Sequence, residues 1–251
     1  MKYKSRSIGN KWTKTKWLLG REDLKRHVPY TLKFDKPNLI AMLNTHDVIY
    51  FKPTYGSGGA NIIRIKKREQ DYQTKANSGK AVFATIDQLY DHLKKRSARR
   101  AYLLQRGITL ARTNGRPFDI RVMVQKTNEG KWISTALFTK IGRPGRVATN
   151  YNQGGRVGYI RPALTGAGYS ADSSDRIVTR LKQMGTAAGR CFDRHKKGLR
   201  ELGLDVALDQ DGYPWILEVN TRPQFYPLKN FKNKALYRRI VSYAKQYGRK
   251  Y

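Results

Sequence analysis

The chain has 251 residues, a length that suits one large domain or two closely packed lobes. Its 51 Lys+Arg against 18 Asp+Glu give a net charge of +33, but 39% apolar and 11% aromatic residues supply a core, which excludes a disordered polyelectrolyte. No apolar run approaches membrane length, the basic start MKYKSRSIGNKWTKTKW lacks an apolar h-region, and the lone Cys191 excludes an internal disulfide, so a cytoplasmic protein with an acidic partner is expected.

Residues 10–28 read as helical up to Pro29, 30–34 as a short strand and 37–43 as a short helix. The β-rich run 47–52 ends at Pro53 and leads into Tyr55-Gly56-Ser57-Gly58-Gly59, after which 61–65 resumes as a strand. Ile86, Leu89, Tyr90 and Leu93 recur at helical spacing ahead of a strand at 101–105. Two longer β segments, 118–126 and 131–141, precede a glycine-rich loop at 142–168 and a helix at 172–197. Two strands follow, then a basic helix at 235–247, whose Leu236, Ile240, Tyr243 and Tyr247 fall at core-packing spacing. Helices mixed with hairpins make the fold class α+β.

The basic residues are spread along the chain, as in Arg64-Ile65-Lys66-Lys67-Arg68 and Lys94-Lys95-Arg96. Each short run reads as a solvated face. The total, however, is self-repelling enough to call for a bound anion such as nucleic acid, a nucleotide or an acidic polypeptide. The four histidines are scattered and form no metal-ligand pair.

Chemistry concentrates in the run Leu204-Asp205-Val206-Ala207-Leu208-Asp209-Gln210-Asp211-Gly212-Tyr213-Pro214-Trp215-Ile216-Leu217-Glu218-Val219-Asn220. Asp211-Gly212 between alternating β segments signals a two-residue hairpin turn, which sets Asp205 opposite Glu218 with Asn220 on the same face. The other face is then Val206, Leu208, Trp215, Leu217 and Val219. Opposed carboxylates are unfavourable unless a cation lies between them, and carboxylate and amide oxygens are what magnesium or manganese prefers.

Phosphate candidates precede this hairpin. Lys52 stands on a strand just before the glycine turn, where a point charge and backbone N–H groups can close on phosphate oxygens. Asp119 and Arg121 share a strand face, the simplest reading being a surface ion pair, and Arg143 lies in a loop where it can neutralise a developing oxyanion.

The stretches YFKPTYGSGGANIIRI, LLQRGITL, RPFDIRVMVQKTNEGKW, ATNYNQGG and ELGLDVALDQDGYPWILEVNTRP, in this order, resemble the ATP-grasp superfamily and most closely its YheC/YheD-like, endospore coat-associated family. The resemblance implies two α+β lobes with nucleotide between them; many ATP-grasp enzymes also begin with a separate Rossmann-like domain, and here the sequence departs, since the residues ahead of the VIYFKP strand are expected to be too few for one. In its place stand a short N-terminal segment at 1–46, a small lobe with a glycine-rich lid at 47–108, and a core lobe with the metal site at 109–251.

It further implies ATP and magnesium as cofactors, with Asp205, Glu218 and Asn220 as ligands of two magnesium ions. Lys52 would meet the α/β-phosphates, and Ser57, Gly58 and Gly59 would form the mobile lid. Gln105, Arg106, Gly107 and Ile108 would form the hinge that receives adenine, although many relatives carry an acid where Gln105 stands. Arg121 and Arg143 would face the γ-phosphate and an acyl phosphate. A second nucleotide-binding lysine stays open among Lys11, Lys14 and Lys16. The implied activity is ADP-producing carboxylate–amine ligation, with no covalent enzyme intermediate, so Cys191 in the 172–197 helix is expected to be a buried structural thiol. The charge adds the expectation of an acidic peptide or protein acceptor and an amino-acid donor. The alternatives are a non-catalytic protein that binds nucleic acid or spore coat, and phosphotransfer to an acceptor that is not a carboxylate.

Overall fold

The computed structural model describes residues 3, 7–56, 58–142 and 155–250. Two antiparallel sheets organise them. The small sheet runs β1-β6-β2-β3-β4-β5, built from β1 (Thr31–Lys33), β2 (Val48–Pro53), β3 (Ile63–Lys67), β4 (Tyr72–Ala76), β5 (Gly79–Phe83) and β6 (Tyr102–Arg106). Helices α3 (Lys36–Thr45) and α4 (Ile86–Ser97) bury Leu39, Met42, Leu43, Leu89 and Leu93 against Ile49, Phe51, Ile65 and Leu104. Both helices start on side-chain caps, Asp35 accepting from the Asn38 N–H and Thr85 from the Gln88 N–H.

The large sheet runs β10-β9-β8-β11-β12, from β8 (Arg116–Lys126), β9 (Trp132–Ile141), β10 (Arg156–Tyr159), β11 (Glu201–Leu208) and β12 (Pro214–Asn220), with the two-residue β7 (Arg112–Thr113) paired to β8. One face packs on the long helix α6 (Ala171–His195). Close approach depends on two helix glycines: a Cβ on Gly189 would lie 2.6 Å from the Trp132 ring, and one on Gly185 would lie 2.8 Å from Val122 and Val124. The opposite face divides along the strands. Its outer part, with Met123, Ala136 and Phe138, is covered by α7 (Ala235–Gln246) and the 3-10 turn Tyr226–Asn230. Its inner part, with Asp119 and Arg121, is left facing the small sheet and lines the cavity described below.

Most expected elements are present, with three differences. The helix expected at 10–28 is two, α1 (Lys11–Leu19) and α2 (Glu22–Lys25), separated at Gly20 and an extended Arg21. The loop expected at 142–168 holds β10 and α5 (Ile160–Thr165) among its described residues; RVGY is too short and glycine-interrupted to show alternation, and long β9 templates it. The β4–β5 hairpin is a further element without a sequence signal, because its mostly polar, half-buried strands YQTKA and GKAVF carry no period-two pattern. Cys191 is buried in α6, donating to the Trp17 carbonyl at 3.2 Å, as expected of a structural thiol. Among the described residues no helix is long and apolar enough to cross a membrane.

Candidate active site

A cavity of about 400 Å³ lies between the two sheets, in the size range of small-molecule sites. Tyr50, Lys52, Gln105 and Arg106 line it from the small sheet; Asp119, Arg121, Lys140, Asp205, Glu218 and Asn220 line it from the large one.

The carboxylate hairpin has the expected pairing by an unexpected route. Leu208 pairs with Pro214, so the turn spans residues 209–213 rather than Asp211-Gly212 alone. Asp209 folds it: its Oδ1 accepts from the N–H of Asp211 and Tyr213, and its Oδ2 accepts from the Trp215 indole at 2.8 Å. That turn alone would slip the register by one residue. A bulge between Asp205 and Val206, opposite Leu217, restores it, so that Asp205 does face Glu218 and Gly203 faces Asn220. The bulge also changes which residues pack. Ile216 joins Leu204, Val206, Leu208 and Val219 in the core, whereas Leu217 lines the cavity and Trp215 lies 5.3 Å beneath the Arg106 guanidinium. The expectation that Trp215 and Leu217 face the core is thereby corrected.

On the large-sheet wall the charges are interlocked. Arg121 Nε donates to Asp205 Oδ1 at 2.7 Å, and Lys140 Nζ lies 3.0 Å from both Asp205 Oδ1 and Asp119 Oδ1. Asp119 and Arg121 are therefore not a surface pair with each other; each is tied to another strand. Burial alone would raise the Asp205 carboxyl, but Arg121 and Lys140 outweigh it and hold the group well below the usual carboxylate range. Burial alone would likewise lower the Lys140 ammonium, yet Asp119 and Asp205 raise it. Asn220 Nδ2 donates to Asp205 Oδ2 at 3.3 Å and to the Gly203 carbonyl, so Oδ1 is the atom it can offer a cation. Arg121 Nη1 also reaches the Gln224 carbonyl at 3.3 Å.

The other carboxylate is held from α1. Lys11 Nζ is 3.1 Å from Glu218 Oε1, Lys14 Nζ is 3.8 Å from it, and Lys16 points to solvent. Lys11 lines the cavity and its ammonium also donates to the Gly56 carbonyl, which places it among the three N-terminal lysines nearest the glycine loop. Burial lowers the Lys14 ammonium from its ordinary value, with Glu218 opposing that shift.

On the small sheet, Lys52 Nζ donates to Gln105 Oε1, and Gln105 Nε2 donates to Thr31 Oγ1. Burial pushes the Lys52 ammonium down to about 8, with Lys11 adding to the effect and Glu218 and Asp205 opposing it. Arg106 and Ile108 line the cavity, whereas Gly107 sits behind it with its N–H on the Val48 carbonyl at 2.8 Å. The Arg106 N–H is likewise taken, by the Tyr30 carbonyl. Gly58 and Gly59 line the opening with φ of 70° and 74°. Ser57 and Arg143, expected in the lid and at the transferred phosphate, lie outside the described residues.

Among the described residues no three His, Cys, Asp or Glu side chains group as a metal site, so the candidate donors are two carboxylates and one amide. Their chemistry fits a hard divalent ion: all three offer oxygen, and Asp205 is held ionised. Lys140 is not among the expected site residues, whereas Lys11 is one of the three N-terminal lysines left open, and it is the one of them that lines the cavity. Lys140 is hidden from a straight reading of the β8–β9 hairpin because a bulge at Met123/Val124 moves Asp119 from Thr139 to Lys140.

Over residues 1–250 the sequence matches the family described as YheC/D-like ATP-grasp. It is 27% identical over 183 residues to the endospore coat-associated protein YheD of Bacillus subtilis (strain 168), covering 70% of this chain and 39% of YheD. It is 25% identical over 233 residues to YheC of the same organism, covering 87% of this chain and 61% of YheC. The chain thus spans less than two thirds of either relative. The fold is similar to that of N5-carboxyaminoimidazole ribonucleotide synthetase in its ADP complex, with a TM-score of 0.54 at 13% identity, over 92% of this chain and 50% of that one. With the family match running almost end to end on this two-sheet architecture, the chain belongs to the YheC/D-like ATP-grasp family.

Proposed function

We propose that the chain is an ATP-dependent ligase that joins a carboxylate to an amine and releases ADP and phosphate. The observation that carries this reading is the convergence on one cavity of the oxygen donors Asp205, Glu218 and Asn220 with the cations Lys52, Arg121 and Lys140. Three carboxylates, Asp119, Asp205 and Glu218, line it against six cations, Lys11, Lys52, Arg106, Arg121, Lys140 and Arg222, a surplus suited to a polyphosphate.

In this mechanism a carboxylate oxygen of the acceptor attacks the γ-phosphorus of ATP as the bond to the β-bridging oxygen breaks and ADP leaves. The amine nitrogen then attacks the acyl carbon, phosphate departs, and the nitrogen loses a proton. Magnesium held by Asp205, Glu218 and Asn220 would neutralise charge on the triphosphate when bound. Arg121 and Lys140, fixed beside Asp205, are placed to hold the oxygens of the transferred phosphoryl group without reorganising during the step. Lys52 meets the polyphosphate from the small sheet, and Gly58 and Gly59 close over it. The net charge of +33 supports an acidic peptide or protein as acceptor, with an amino acid as the amine donor.

One observation favours a second reading, a non-catalytic binding protein on the same fold. Asp205 Oδ1 is already shared by Arg121 and Lys140, so the acidic cluster is satisfied without a metal. Calorimetric titration of ATP with and without magnesium, at fixed moderate salt, separates the two. The ligase requires saturable one-to-one binding that depends on magnesium and is lost in Glu218→Ala; weak binding indifferent to both supports the second reading. Release of phosphate together with a mass gain on an acidic peptide then distinguishes ligation from phosphotransfer.

A further inference from the structure

A second cavity, of about 580 Å³, opens at the lid end of the small sheet, where β3 begins at Ile63, β4 ends at Ala76 and β6 begins at Tyr102. One wall is the C-terminal end of α4 and the segment after it, carrying Lys95, Arg96, Arg99 and Arg100. No Asp or Glu lines the cavity, and among the described residues none of these four cations enters an ion pair.

Helix electrostatics account for only part of this. Lys95 and Arg96 occupy the last turn of α4, where the helix dipole favours cations, but Arg99 and Arg100 lie beyond the helix and gain little from it. The field they create is felt locally: His92, on the same wall, is held below its ordinary value by burial and then by Arg96 and Lys95. Ile62 lines both this groove and the nucleotide cavity, so the two openings are neighbours across the end of the glycine loop.

We propose that this groove docks an acidic stretch of polypeptide, leading it past the glycine loop toward the nucleotide cavity. Guanidinium forks pair bidentately with carboxylates, and three of the four cations are arginines. Single-stranded nucleic acid fits less well, because among the described residues the only aromatic side chain lining the groove other than His92 is Tyr102, which is buried and offers no stacking platform. The purpose of the docking rests on the ligase reading; the binding itself does not.

The test uses the full chain, without ATP, and a fluorescein-labelled oligoglutamate followed by anisotropy. The triple variant Arg96→Glu/Arg99→Glu/Arg100→Glu is compared with Arg176→Glu/Arg180→Glu/Arg190→Glu at exposed positions of α6, which makes the same change in net charge. All six positions are exposed, so both variants should fold, and retained magnesium-ATP binding checks it. The groove variant is expected to bind the peptide about tenfold more weakly than the α6 variant. In the wild type, peptide should move the His92 imidazole titration upward by NMR. Equal losses in the two variants would assign the binding to net charge alone and overturn the groove. So would an oligothymidylate of equal charge that binds the wild type more tightly than oligoglutamate and loses affinity only in the groove variant. Peptide bound in the groove with no ADP released leaves the docking standing and removes the ligase reading. ADP released with a peptide KM unchanged in the groove variant does the reverse.

Discussion

The two walls of the cavity between the sheets are built on opposite plans. On the large sheet, Asp119, Arg121, Lys140 and Asp205 come from three adjacent strands and hold one another within 3.0 Å, all of them largely buried. On the small sheet, Lys52 has neutral partners, the Gln105 amide oxygen and the Tyr50 ring at 5.3 Å, and its neighbours Gly58 and Gly59 sit on a loop in the left-handed backbone region. A chemical step with developing charge needs fixed counter-charges, whereas a lid must move. One wall is organised before anything binds; the other is left to be organised by what binds.

The largest effect should come from breaking the rigid wall at its centre. Asp205→Ala leaves Arg121 and Lys140 buried beside each other with Asp119 as the remaining acid, so a loss of about 3–5 kcal/mol in urea denaturation is expected. Glu218→Ala should cost less, about 1–3 kcal/mol, because Glu218 is a quarter exposed although the lysines it would leave behind, Lys11 and Lys14, are mostly buried. Both should abolish magnesium-dependent ATP binding. Equal stabilities for the two variants would mean that the interlocked charges are not a structural unit. A smaller disturbance of the same wall needs no charge change. A Cβ on Gly203 would lie 2.5 Å from Pro223 and 3.0 Å from the Arg121 side chain, so Gly203→Ala should cost about 1–3 kcal/mol and lower turnover by displacing Arg121.

How much of these walls was legible in the sequence depended on bulges. The opposition of Asp205 and Glu218 was legible because carboxylates are scarce in this chain and an Asp-Gly turn marks the hairpin. The turn is nevertheless five residues long, and the pairing holds only because a bulge cancels the slip. That bulge sent Leu217 to the cavity and Ile216 to the core, which strict alternation assigns the other way round. The bulge in β8 likewise hid Lys140, the residue that joins Asp119 to Asp205. Lys11 and Lys14 were among the candidate lysines, but only the docking of α1 on the large sheet brings them to Glu218. Local pattern identified the elements with strong periodicity. The partners of each charge depended on irregularities that have no local signature.

The yielding wall can be read by pH. Free Lys52 loses its proton near 8, and a bound polyphosphate raises that value, so above pH 8 the complex holds more protons than the free protein. ATP binding should then take up a proton, and affinity should fall by up to about tenfold per pH unit above 8 while staying flat below it. Calorimetry in buffers of different ionisation enthalpy measures the uptake directly. Lys52→Gln should remove both the uptake and the slope; a slope that survives the substitution would place the titrating group elsewhere.

The smallest effect should come from the loop itself. Gly58 has φ of 70°, and a Cβ there would meet nothing within 4 Å, so Gly58→Ala carries a backbone cost alone, about 1 kcal/mol. In a chain of this size that is a shift of about 2–4 °C in Tm. If this segment closes over the phosphates, the strain should weaken magnesium-ATP affinity about threefold, while binding of a nucleoside without phosphates should not change. Equal losses for nucleotide and nucleoside would mean that the loop acts on the cavity as a whole. Only a loss confined to the phosphorylated ligand makes Gly58 part of a lid, and only then is the contrast between a fixed wall and a closing one functional as well as geometric.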